Sequence, residues 1–177
     1  MDILLTVIGI IIALCILGFL VVRLYIIFQG DAEMRFLVSE RTPAAKVEEK
    51  EGRLDFNVEV PFDNIGKQEG TILDTYVRIY LPLEQYDDVL LRAKVNLEGV
   101  LRDDDYFEAL LVPAGTKKRL IVRFEAYAKN GRTIKEALGG APDVDVALFA
   151  DCRARRELFT KKEIFTLTSE ELAALVK

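Results

Sequence analysis

The amino-acid sequence predicts a single transmembrane α-helix at the amino terminus, followed by an all-β, antiparallel sandwich with a short carboxyl-terminal helix. Three observations predict this fold class. Residues 3–22 contain no charged side chain. Residues 54–167 contain a series of short alternating segments separated by turn residues, a pattern typical of β-strands. No long helical pattern separates these segments, which argues against a parallel β-α-β architecture.

Residues 1–30 form the predicted membrane anchor. About twenty apolar residues, at a rise of about 1.5 Å each, cross a hydrocarbon core of about 30 Å. A cleaved signal sequence would begin with basic residues and end at a small-residue cleavage site. Here Asp2 is the charge that precedes the apolar run, and no such site follows it. We therefore expect a permanent span, with Arg23, Tyr25 and Phe28 at its boundary with the headgroups.

The flanks of the span predict its orientation in the cell membrane. Lys and Arg collect on the cytoplasmic side of membrane helices. Asp2 and the chain terminus precede the span, whereas Arg23, Arg35, Arg41 and Lys46 follow it closely. This count favours a cytoplasmic soluble domain, and an extracytoplasmic domain stays open as the alternative.

Residues 31–53 form a predicted charged juxtamembrane linker. Met34, Leu37 and Val38 have the i, i+3, i+4 spacing of a short amphipathic helix, which Pro43 would end. The other interpretation is a partly ordered stalk. In both cases the linker acts as a spacer between the membrane and the sandwich.

Residues 54–177 are predicted to form the sandwich and the terminal helix. From Leu54 to Phe62, apolar residues occupy every second position, as in a strand with one buried face. The other predicted strands are residues 71–81, 89–97, 106–112, 118–128, 144–152 and 158–167. Seven strands of this length with turn residues between them fit an antiparallel sandwich.

Two short helices complete the prediction. Residues 133–138 fit one helical turn in a crossover loop. Thr168, with Glu171 three positions later, has the form of a capping box at the start of the terminal helix. Leu172 and Leu175 are expected to pack either on the sandwich or on another protein.

The first predicted hairpin carries a resemblance to a known family. Residues 58–66, with the sequence VEVPFDNIG, are followed by GTILD at residues 70–74. This pattern resembles the first hairpin of bacterial immunoglobulin-like domains of the CARDB type, which share an Asn-x-Gly after an alternating strand. The sequence departs from that type in a long crossover at residues 131–143. The resemblance implies an immunoglobulin-like sandwich used for adhesion, spacing or assembly, without an active site.

The composition argues against an enzyme and against a cofactor. The chain has no histidine, so the commonest general base and metal ligand are absent, and it has no Gly-rich phosphate loop. Its net charge of −5 is unfavourable for nucleic acid. Residues 103–105 with Asp87 and Asp88 offer oxygen ligands, but consecutive carboxylates point in different directions, so calcium is disfavoured. Cys152 alternates with apolar residues and is expected to be a buried, inert thiol.

These observations predict a non-catalytic, single-pass accessory or scaffold protein, with the lipid bilayer and other membrane proteins as its partners. The alternative is an envelope-facing module that binds a glycan or calcium. Tyrosines on one strand face, a basic cluster near the last hairpin and the terminal helix are the predicted contact sites. The residues concerned are Tyr76, Tyr80, Arg153, Arg155, Arg156, Lys161, Lys162, Leu172 and Leu175.

Overall fold

The amino-terminal helix stands clear of the rest of the chain. In the computed structural model, which describes residues 2–82, 84–100, 102, 104, 106–155 and 157–177, α1 spans Asp2–Gln29. The helix has a mean hydropathy of 3.1 and none of it is buried, so it is long and apolar enough to cross a membrane. Arg23 lies over the Phe19 ring at 5.8 Å, and Tyr25 and Phe28 are exposed near the end of the helix.

Nine strands in the described residues form two antiparallel sheets. The strands are β1 (Met34–Phe36), β2 (Ala45–Lys50), β3 (Arg53–Asn64), β4 (Gly70–Tyr80), β5 (Val89–Leu97), β6 (Leu110–Val112), β7 (Lys117–Ala128), β8 (Val144–Arg153) and β9 (Leu158–Leu167). Sheet A has the order β1-β3-β7-β5, with β2 also paired to β3, and sheet B has the order β6-β4-β8-β9. The predicted fold class is therefore confirmed.

Period-two alternation in the long strands builds the core between the sheets. Every second residue of β3, from Leu54 to Phe62, is fully buried. Phe56 stacks on Phe124 of β7 with ring centroids 4.8 Å apart. Removing such a ring leaves a cavity, so a Phe56→Ala change costs about 3–5 kcal/mol.

The prediction of a linker is wrong for much of residues 31–53, because this segment forms two strands of sheet A. β1 pairs with the end of β3, with Met34 opposite Asn64, and β2 pairs with the beginning of the same strand. Met34 and Phe36 are buried, and a 3₁₀ turn at Val38–Glu40 replaces the predicted amphipathic helix. These segments escape a periodicity analysis because β1 has three residues and β2 is exposed on both faces. Charged side chains on such an edge oppose aggregation.

Both predicted short helices are present. α2 spans Ile134–Gly139 with a capping box at its start, and α3 spans Ser169–Ala174 with Thr168 as its N-cap. Leu172 and Leu175 are buried against the core. Their predicted role as contacts with another protein is therefore wrong, because the sandwich itself covers them. The predicted strand at 106–112 shortens to β6.

Candidate functional site

Residues 30–33, which we call the joint, connect α1 to the sandwich. Gly30 ends the helix in a left-handed conformation with φ of +68°, which glycine adopts without steric cost. Its N–H donates to the Ile27 carbonyl oxygen (3.2 Å). β1 follows directly at Met34. Even fully extended, a segment of this length reaches only about 14 Å, so the sandwich lies close to the end of the helix.

Two loops of the sandwich hold the joint. From the β3–β4 loop, the Lys67 N–H donates to the Asp31 carbonyl oxygen (3.0 Å), and the Gln68 side-chain amide donates to the Gln29 carbonyl oxygen (3.2 Å). From the β8–β9 turn, the Arg155 N–H donates to the Asp31 carboxylate (2.9 Å), and its guanidinium donates to the Gln29 side chain. The helix and the sandwich are thus connected by hydrogen bonds from two separate loops.

Asn64 is fully buried beside the joint, and its side chain is saturated with hydrogen bonds. Its Oδ1 accepts from the N–H groups of Glu33 and Gly66, both at 3.0 Å. Its Nδ2 donates to the carbonyl oxygens of Gln68 (2.8 Å) and Val112 (3.0 Å). An amide has two donor and two acceptor positions, so this one side chain connects the joint, the β3–β4 loop and β6.

Gly66 permits the close approach of the joint to the β3–β4 loop. A Cβ atom on this residue would lie 2.3 Å from the Asp31 carbonyl oxygen and 2.4 Å from the Glu33 nitrogen, far inside van der Waals contact. The Asn-x-Gly pattern of the first hairpin therefore has a physical role in holding the joint. Asn64 supplies the hydrogen bonds, and Gly66 leaves the space.

The structure separates the predicted basic contacts. Arg153 and Arg155 lie next to the joint, the first on the outward face of β8 and the second in the β8–β9 turn. Lys162 lies on the outward face of β9, and Lys161 lies on the opposite face of that strand. Arg156 lies outside the described residues.

The outward face of sheet B carries stacked aromatic rings. Tyr76 and Phe149 stand opposite each other on β4 and β8, with ring centroids 4.9 Å apart and an interplanar angle of 6°. The cationic groups of Arg78 and Lys162 each lie 5.7 Å from the Phe149 centroid, within the range of a cation–π interaction. We call this surface the aromatic face; it comprises Tyr76, Arg78, Tyr80, Phe149, Lys162 and Ile164.

Side chains of the aromatic face stay accessible to a partner. Tyr76 is 38% exposed, Tyr80 47% and Ile164 49%. The sequence predicted Tyr76, Tyr80 and Lys162 as contacts, and the structure brings all three onto this face. Phe149 and Ile164 were missed, because their proximity depends on the register between β4, β8 and β9.

The outward face of sheet A has a different character. Arg53 donates to Asp55 (2.6 and 2.7 Å) and to Glu125 (3.0 Å), and Arg119 donates to Glu59 (3.1 Å). These charges are neutralised within the sheet. The outward face of sheet A thus carries paired charges, whereas the outward face of sheet B carries the Tyr76–Phe149 stack.

An open groove of about 840 Å³ lies between β9, α3 and the segment after the 3₁₀ turn. Inside it, the Arg41 guanidinium donates to both carboxylate oxygens of Glu171 (2.8 and 2.7 Å) and to the Thr166 carbonyl oxygen (2.7 Å). Burial raises the pKa of Glu171, but hydrogen bonds from Arg41 and the Ala44 N–H outweigh burial and hold it below its usual range. These hydrogen bonds attach α3 to the sandwich.

The acidic residues considered for calcium are engaged in ion pairs where the structure describes them. The Asp104 carboxylate accepts from the Arg102 guanidinium (2.9 Å), which lowers its pKa to about 2. Asp103 and Asp105 lie outside the described residues. Over the described residues, no group of three or more acidic, Cys or His side chains is placed to hold a metal ion. The other two acidic residues form the pairs Asp87–Lys129 and Asp88–Arg132.

The Cys152 thiol is fully buried, as predicted. Burial raises its pKa to about 11, and its Sγ lies 3.7 Å from the Ala150 carbonyl oxygen. Because the thiolate is the reactive form, this residue is unreactive in the folded chain.

Comparisons with solved structures give remote similarities. A Bordetella pertussis protein named as ApaA has 12% identity and a TM-score of 0.46, covering 77% of this chain and 94% of that one. The GAE domain of yeast GGA1 has 10% identity and a TM-score of 0.38, covering 76% and 90%. The CupB6 tip adhesin from Pseudomonas aeruginosa has 8% identity and a TM-score of 0.30, covering 78% and 51%.

No protein-family model matches the chain, and no curated protein matches its sequence. The CARDB-type resemblance therefore stays a prediction. The chain's own geometry defines its class, a two-sheet antiparallel β-sandwich carried by an apolar helix of membrane-spanning length.

Proposed function

We propose that the chain is a non-catalytic, membrane-anchored accessory or scaffold protein, whose sandwich docks on a partner protein through the aromatic face. α1 is the permanent anchor in this proposal. The observation that carries it is the combination of stacked rings, exposed Ile164 and two cations on one outward sheet surface. Aromatic and Arg side chains are enriched at the centres of protein interfaces.

The arrangement of the rings favours a protein partner over a glycan. A sugar-binding platform needs an open ring face, whereas Phe149 has Arg78 and Lys162 over its ring and Tyr76 stacked beside it. Asp87 and Asp88 in the β4–β5 loop are paired with Lys129 and Arg132, which gives no support to the calcium alternative. The proposed role requires no catalytic group.

The distance of the aromatic face from the joint supports docking near the membrane. Arg153 stands in the row of sheet B next to the joint, and Phe149 lies four residues further along β8. At about 3.4 Å per residue, the face begins about 14 Å beyond that row. Tyr80 lies four residues beyond Tyr76, about 27 Å from that row along the strands. A partner bound here lies within one domain's height of the joint.

Site-directed photo-cross-linking in native membranes tests the proposal. A photoreactive residue at Tyr80 should give a discrete protein adduct, and the same residue at Asn57, on the outward face of sheet A, should give none. A Phe149→Ser/Lys162→Glu variant should lose the Tyr80 adduct while keeping its thermal midpoint within a few degrees. The proposal fails if both positions give the same adducts, or if the adduct survives the double change in a folded protein.

A further inference from the structure

The membrane-proximal end of the sandwich has the chemistry of a lipid-binding surface. We propose that this end binds anionic phospholipid headgroups, through a cationic collar beside the joint formed by Lys67, Arg153 and Arg155. The inference rests on the proposed membrane anchor. It concerns a surface and a ligand different from those of the aromatic face.

The position of the collar follows from the length of the helix. Residues 3–22 span about 30 Å at 1.5 Å each, the thickness of the hydrocarbon core. Arg23 therefore stands at the edge of the core, and Gln29 lies about 9 Å beyond it. The headgroup layer is about 5–8 Å deep on each side. The joint, and the loops bonded to it, lie at the outer limit of the headgroups and within a Debye length of their charge.

Hydrogen bonds hold the collar at this level. The backbone N–H groups of Lys67 and Arg155 both donate to Asp31. The aliphatic part of the Lys67 side chain lies beside Gly30, with its Cδ atom 3.1 Å from the position of a Cβ on that glycine. These contacts keep the backbone of both residues beside the end of the helix, and the Arg155 guanidinium also donates to the Gln29 side chain.

The charges of the collar are available for an external anion. Within the part of the chain that the structure describes, no carboxylate forms an ion pair with Lys67, Arg153 or Arg155. This differs from the cations on the outward face of sheet A, where Arg53 and Arg119 are paired. Anionic membrane surfaces attract basic residues placed within the Debye length.

A shallow cavity of about 300 Å³ opens between the β3–β4 loop and the β8–β9 turn. Its lining includes Arg153, Arg155, Thr71 and Glu69. The two Arg side chains and the Glu69 carboxylate give the lining a net positive charge, which attracts a headgroup with a net negative charge. Arginine binds phosphate and carboxylate through paired N–H groups.

Exposed apolar side chains surround the collar. Ile65, in the β3–β4 loop, is 48% exposed. Leu111 and Leu158 are 54% and 68% exposed and stand in the same cross-strand row as Arg153. Exposed apolar side chains beside cations are typical of surfaces that contact the membrane interface. The bilayer that α1 crosses is the surface that this combination fits.

Lipid enrichment around the full chain in nanodiscs tests the inference. A fluorescent donor is attached at Ala114→Cys, in the exposed β6–β7 turn at the same end of the sandwich, in a Cys15→Ser background. The nanodiscs contain phosphatidylcholine and phosphatidylserine with a trace of acceptor-labelled lipid, the acceptor being attached to an acyl chain. We expect energy transfer to labelled phosphatidylserine to exceed transfer to labelled phosphatidylcholine by about fivefold, the factor that corresponds to one cation near the membrane surface. The excess should fall with added NaCl.

Matched charge reversals provide the control. Lys67→Glu/Arg153→Glu should reduce the ratio to about 1, whereas Lys135→Glu/Lys177→Glu, with the same change in net charge at the far end of the sandwich, should preserve it. Equal transfer to both lipids in the parent chain overturns the lipid proposal alone. Failure of the chain to co-elute with nanodiscs overturns the anchor as well, and an equal loss in both double variants shows a non-specific charge effect and overturns the collar.

Discussion

Replacing Asn64 by Asp tests the central hydrogen-bond cluster at the joint. The change keeps the oxygen that accepts from Glu33 and Gly66 but replaces the Nδ2 donor by a carboxylate oxygen. That oxygen would face the carbonyl oxygens of Gln68 and Val112, which are 2.8 and 3.0 Å away. Each buried acceptor left without a donor costs about 1–3 kcal/mol. With the added burial of a charge, we expect the free energy of unfolding to fall by about 3–5 kcal/mol at pH 7.

The loss should be smaller in acid. A protonated carboxyl group can donate to one of the two carbonyl oxygens, so the folded state favours the neutral form of Asn64→Asp. The pKa of the new group is then higher in the folded than in the unfolded chain. The stabilisation by protonation is present at low pH and disappears as the pH rises through the folded-state pKa. We expect recovery of about 1–3 kcal/mol between pH 7 and pH 4, relative to the parent at each pH.

Urea unfolding of the full chain in detergent micelles, followed by circular dichroism of the β-sheet, measures both effects. Asn57→Asp is the matched control, because Asn57 lies on the same strand but on its outward face, opposite Arg123. This control should change stability by less than about 0.5 kcal/mol. The reasoning is refuted if the two variants unfold alike at pH 7, or if Asn64→Asp loses further stability in acid.

Three further outcomes follow from the contacts described. Gly66→Ala should lower the free energy of unfolding by about 1–3 kcal/mol, because the new Cβ would meet the backbone of the joint. Gly139→Ala, with open space around its Cβ, should leave stability nearly unchanged, and thermal midpoints distinguish the two variants. Glu171→Gln should lower the free energy of unfolding by more at pH 7 than at pH 3. The lowered folded-state pKa of Glu171 means that its carboxylate stabilises the fold above the unfolded-state pKa, and this stabilisation is lost as the pH falls through the folded-state value; urea midpoints at both pH values check this. Cys152 should resist maleimide in the folded chain and react in urea, as mass spectrometry would show; rapid labelling without urea would contradict its burial.

Local pattern was sufficient for the long strands and insufficient for the short ones. The alternation from Leu54 to Phe62 predicts β3 because every second side chain of the strand is buried. This property is visible within a single segment of sequence. β1 and β2 depend on their pairing with β3, and neither has enough alternation of its own to indicate a strand. The sequence between the helix and residue 54 therefore suggested a spacer, although it contributes Met34 and Phe36 to the core.

The candidate surfaces also combine features that local pattern predicts with features that depend on strand pairing. Period two alone places Lys161 and Lys162 on opposite faces of β9, so that part of the basic cluster could have been corrected from the sequence. The stacking of Phe149 on Tyr76 could not, because it requires the register between strands far apart in the chain. The Asn64-x-Gly66 pattern was visible, but its function in binding the joint depends on the position of Glu33.

In the proposed membrane-anchored protein, the hydrogen-bonded joint would transmit the orientation of α1 in the bilayer to the sandwich. Tyr80 lies about 27 Å from the row next to the joint. A 10° change in helix tilt, well within the range that membrane helices adopt, would therefore displace this tyrosine by about 5 Å. Rotation of α1 against neighbouring helices would likewise turn the aromatic face around the membrane normal. Packing inside the membrane would then select which partners, and from which direction, can reach the sandwich.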